Sequence, residues 1–151
     1  MPRESLDRVQ DALASTVSDE ADAFEARFGK NARRFFEALP VVFGLMRRLA
    51  LDLELGGPER RVAAAAAFYL AEPDDFLRET ASVGVGGAID DVWVGFEALR
   101  RLRGAVGDDA LARHVRGSVS FADLADLAEN IDVITPQVPP RVLEQLERFL
   151  A

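Results

Sequence analysis

No cysteine occurs in the 151 residues. Disulfides, thiolate zinc sites and cysteine nucleophiles are therefore excluded, and the expected setting is the cytoplasm. Positive charge is also scarce: 18 Lys and Arg face 26 Asp and Glu, a net charge of −8. A phosphate-binding face needs clustered cations, so no nucleic-acid partner is expected. Long apolar runs are missing as well. The longest charge-free apolar stretch in the middle of the chain, Val62 to Ala71, has ten residues, and a bilayer span needs about 20. Pro40 to Leu51 is also too short and is interrupted by Arg47 and Arg48. The opening residues MPRESLDRVQDALAS are charged from position 3 and hold no apolar segment of the secretory kind. The expectation is a soluble chain without a transmembrane segment. Peripheral membrane contact stays open.

Alternating β-branched runs are absent too, whereas Ala, Leu, Arg and Glu dominate. The expected class is all-α: a single domain, 1–151, forming a bundle of about six or seven helices around a central helical hairpin. Residues 4–28 carry Leu6, Val9, Leu13 and Val17 at spacings of three and four, continued by Ala21, Phe24 and Phe28. This arm either packs back onto the bundle or serves homo-oligomer assembly. Gly29 is expected to close it, and Asn31 to cap the next helix. That helix has a wide apolar arc from Phe35 to Leu49 and belongs at the centre of the core. Pro40 predicts a kink or break within it, and Gly56-Gly57-Pro58 its end.

Pro58 is placed to open a helix running to Ala71, with five alanines at 63–67 that allow a close neighbour. Residues 72–87 read as a long connection with one helical turn at Asp75 to Glu79. Residues 88–103 read as an amphipathic helix, with Ile89, Val92, Trp93, Phe96, Leu99 and Leu102 inward and Glu97 and Arg101 outward. Gly104 and Gly107 bracket a turn, and Asp108 caps a short helix to Arg116. Ser120, with Asp123 three residues on, matches a helix start. IDVITPQVPP, at 131–140, reads as extended, and Pro139 or Pro140 opens the last helix. The C-terminal helices thus occupy 108–151.

Chemistry concentrates between Ala63 and Trp93. The glycines at 84, 86 and 87 lack the Gly-Lys-Ser/Thr of a phosphate loop, and no strand precedes them. Ser82 and Ser118 have no elbow motif around them. His114 stands alone between Arg113 and Arg116, without a metal-ligand partner nearby in sequence, and reads as a surface or helix-end residue. The carboxylates Asp75, Glu79, Asp90 and Asp91 remain. Hard oxygen ligands suit Mg²⁺ or Ca²⁺. Neighbours on a helix point about 100° apart, so a site would use one of Asp90 and Asp91. Equally, acids in a first helical turn favour the positive end of its dipole, and Asp74 and Asp75 after Pro73 suit capping.

The stretch from Pro58 to Trp93 resembles the YkvA-like domain of unknown function, a small bacterial helical family. The family pattern is an alanine-rich helix ending in tyrosine, then Pro-x-Asp-x-x-Pro-Asp, then Gly-x-x-Asp-Asp opening a second helix. Tyr69, Pro73 and Asp75 match its first part; Gly87, Asp90 and Asp91 match its last. Arg78 and Glu79 stand where the family has Pro-Asp, and the piece before Asp90 is longer. The resemblance implies a helical hairpin, here 58–103, with an acidic tip. It implies no activity and carries over no catalytic residue. The leading expectation is a non-enzymatic interaction or regulatory domain with a protein partner or a second copy. The alternative is a divalent-metal-binding module, or a metal-dependent enzyme, using Asp75, Glu79, Asp90 and Asp91. Arg47 and Arg48 read first as the solvated edge of a buried helix; alternatively one reaches the acidic tip, or both join Phe43 and Met46 in a peripheral membrane or partner face.

Overall fold

The computed structural model describes residues 3–71 and 88–151, with side chains from Arg8 onward. The described residues form α-helices and 3₁₀ turns without strands, as the all-α reading requires. No helix among them is long and apolar enough to cross a membrane. The expected turn at Asp75 to Glu79 and the glycines at 84, 86 and 87 lie outside the described residues.

Helix α1 spans Arg3–Phe28 and α2 spans Lys30–Glu37. One glycine separates them. Gly29 has φ +101°, donates its N–H to the Glu25 carbonyl and offers its own carbonyl to Arg33 N–H. It therefore ends one helix and starts the next, a backbone shape that glycine adopts without strain. The cap expected from Asn31 is corrected here: α2 has already begun at Lys30, and no side chain caps it. Helix α1 packs back on its successors. Val17, Ala21 and Phe24 are buried, Phe24 stacks on Phe36 at 4.3 Å, and Gln10 Nε2 donates to the Pro40 carbonyl. Arg33 pairs with Asp22 at 2.8 Å.

Pro40 breaks the chain rather than kinking it. Helix α3 spans Leu39–Ala50, with Ala38 closing α2 and opening α3. Pro40 has no N–H to continue the α2 ladder, and it sits within the first turn of α3, where none is needed. Helix α3 ends at Ala50, earlier than the glycines at 56 and 57 suggested. Leu51 and Asp52 N–H tighten onto Arg48 and Leu49 carbonyls, and Asp52 Oδ1 accepts Glu54 N–H in an Asx turn.

Helix α4 spans Gly57–Ala71, with Ala63 and Ala66 fully buried. Helix α5 spans Ala88–Val106, so Gly104 lies inside it and the turn comes only at Gly107, φ +85°. Helix α5 is also the main departure from the amphipathic reading. Every residue from Ala88 to Leu99 is buried, including Asp90, Asp91 and Glu97. A helix covered all round is the centre of a bundle, and α2, α3, α4 and the C-terminal elements all pack on it. A Cβ on Gly95 would lie 3.2 Å from Val42 Cγ1 and 3.6 Å from Leu70 Cδ1. Glycine there lets α3 and α4 approach.

Helix α6 is short, Asp108–Ala112. Asp108 lies in its first turn, not at its cap, and accepts from Arg103 Nε at 2.9 Å. Arg103 Nη1 also reaches Glu129 at 2.7 Å, tying the end of α5 to α7, Phe121–Glu129. Ser120 does cap α7: its Oγ accepts Asp123 N–H at 3.2 Å. The expected extended stretch after α7 is instead two 3₁₀ turns, Ile131–Val133 and Thr135–Gln137. The Thr135 hydroxyl donates to the Ile131 carbonyl, and Gln137 Nε2 donates to those of Phe28 and Val133. Backbone bonds three residues apart form both turns, and these side chains add to them, which periodicity does not register. Ile131 and Ile134 point into the core, whereas Val133 faces out. Helix α8, Pro140–Leu150, buries Val142, Leu146 and Leu150.

Gly117 carries φ +128°, and a Cβ there would sit 2.9 Å from Val41 Cγ2. Gly117→Ala is expected to cost on the order of 1–2 kcal/mol, combining backbone strain with a clash. Urea denaturation measures it; an unchanged midpoint would contradict the packing of the 113–120 segment on α3.

Candidate functional site

The candidate site among the described residues lies where α4 ends and α5 begins, at the loop end of the hairpin. Alanine and leucine carry α4 down to Tyr69, which is buried near its C-terminal end and packs on Phe149 of α8 at 5.5 Å. Asp90 and Asp91 follow Ala88 and Ile89 in the first turn of α5, so the expectation that both occupy a first helical turn holds. That position places them near the positive end of the α5 dipole, which favours anionic side chains by about 0.3–1 kcal/mol. What the local pattern did not indicate is their depth: Asp90 is 0% exposed and Asp91 6%. The Tyr69 hydroxyl donates to Asp90 Oδ2. This bond joins the last turn of α4 to the first turn of α5, across the connection between them. A buried carboxylate needs such donors, because losing water without replacement costs several kcal/mol.

Asp75 and Glu79 lie outside the described residues. The two described members of the four-carboxylate set, Asp90 and Asp91, are brought to one helix start. Among the described residues no group of three or more acids or histidines is arranged to hold a metal ion.

A third acid is buried further along α5. Glu97, 5% exposed, was expected on the solvated side. It accepts from Arg100 Nε at 2.7 Å and from Arg101 Nε at 2.9 Å. Arginines three and four residues later are the sequence signal for this pairing. The Arg100 guanidinium is held above its ordinary pKa, chiefly by its bond to Glu97. Together with Trp93, Glu129, Asp132, Thr135 and Glu147, this pair lines a groove of about 330 Å³.

Comparison with protein-family models, with curated proteins and with solved structures finds no match to this chain.

His114 has a partner that its neighbours in sequence could not disclose. Its Nε2 lies 2.8 Å from Asp52 Oδ2, across 62 residues. Arg48 Nε donates to the His114 carbonyl at 2.7 Å, and Arg113 reaches Glu54 at 3.3 Å. The turn after α3 is thus clamped to the segment after α6. Arg48 is used here, and Phe43 and Met46 are fully buried, so these residues do not combine into an exposed membrane or partner face. Burial lowers the Arg48 pKa, with Arg116 and Arg47 adding repulsion.

The bond from His114, followed by that from Glu54 N–H, holds Asp52 below the usual carboxylate range. A depressed carboxylate stabilises the fold above its unfolded-state pKa, about 3.9. That contribution disappears as pH falls through the lower folded-state value. Asp52→Asn is therefore expected to be less stable than the natural chain at pH 6, with the difference narrowing toward pH 3. Urea titrations at both pH values measure it, and a gap independent of pH would remove Asp52 from the account of acid sensitivity.

Proposed function

We propose that this chain is a non-enzymatic helical interaction or regulatory domain of the YkvA-like type, in which the motif residues at the loop end of the hairpin hold the fold. The observation that carries this reading is the buried bond from Tyr69 to Asp90. Two positions of the motif, one from each helix, are engaged with each other inside the protein. A carboxylate at 0% exposure, bonded to a neighbouring helix, acts on the fold and is not presented to a partner. Contact with a protein partner or a second copy then falls to the outer surface. A cytoplasmic setting accompanies this reading and rests on the cysteine-free composition.

A second reading is favoured by the burial of Asp90 and Asp91 in the first turn of α5. In that reading Mg²⁺ or Ca²⁺ binds one of them with Asp75 or Glu79, in a metal-binding module or a metal-dependent enzyme. Thermal unfolding with and without millimolar Mg²⁺, Ca²⁺ or Mn²⁺ separates the two. Metal at a hundredfold excess over its Kd would add about 2.7 kcal/mol, or roughly 5–10 °C in Tm at this chain length. The expected result is no shift. A shift of that size in the natural chain, absent from a folded Asp90→Asn variant, would overturn the proposal in favour of the metal reading.

A further inference from the structure

We draw no further inference here: the strongest candidate, the groove between α5, the 3₁₀ turns and α8 lined by Glu97, Glu129, Asp132 and Glu147, is a cluster of acidic side chains whose one buried member, Glu97, is already paired with Arg100 and Arg101, and nothing else in the structure points to a ligand there.

Discussion

Phe96→Ala is expected to lower stability by about 3–5 kcal/mol, the range for removing a buried aromatic side chain from a close-packed core. Phe96 is 0% exposed and meets the Phe35 ring edge-on at 5.0 Å. It lies in the stretch of α5, Ala88 to Leu99, that is buried on every side, so the surrounding elements cannot collapse inward from a free face. Natural domains hold about 5–15 kcal/mol in total, and the loss corresponds to roughly 6–20 °C in Tm at this length. Trp93 is the only tryptophan and stands one helical turn away, so its fluorescence during guanidinium denaturation reports the change directly. A loss below about 1 kcal/mol, small on the scale of core truncations, would mean that α5 is not the centre of the bundle.

The second large effect is expected at the loop end of the hairpin. Tyr69→Phe removes a donor from a buried carboxyl group, and taking one partner from a buried polar group costs about 1–3 kcal/mol. Asp90→Asn keeps the shape of the side chain but replaces a carboxyl oxygen with an amide nitrogen, which perturbs the same bond. In a double-mutant cycle the two changes should be strongly non-additive, with a coupling of about 1 kcal/mol or more, as for residues in direct contact. Independent effects would separate Tyr69 from Asp90 and remove the observation on which the proposed function rests. The cycle reads stability alone. It therefore stands apart from the metal titration, and either experiment can fail without deciding the other.

Much of the architecture is written in local pattern. Leu13, Val17 and Phe24 recur at helical spacing, and the stripe they predict is the face of α1 that packs inward. Gly29, Pro40 and Ser120 act where turn chemistry puts them, because a positive φ, a missing N–H and a hydroxyl cap depend only on the residues beside them. The errors have a common origin as well. Asn31 and Asp108 are good capping residues, but a neighbouring glycine had already set each helix start. The 131–138 segment reads as extended because prolines interrupt its pattern; backbone bonds three residues apart make it 3₁₀, and the Thr135 and Gln137 side chains reinforce it.

At the candidate site the division is sharper. The residue types and their spacing identified Asp90 and Asp91 and placed them at a helix start, since dipole and capping preferences operate within one turn. They said nothing about depth. Glu97 looked like a solvated residue opposite an apolar stripe, and His114 looked solitary. Burial of a helix on all sides depends on how many other helices reach it, and a partner across 62 residues depends on where the chain returns. The sequence by itself determined the helical class, most of the punctuation between helices and the carboxylates to examine, because each follows from interactions among near neighbours. Only the tertiary structure decided that α5 is enclosed, that Tyr69 meets Asp90 and that Asp52 meets His114. Those contacts arise when distant segments exclude water together, and no local pattern encodes which segments do so.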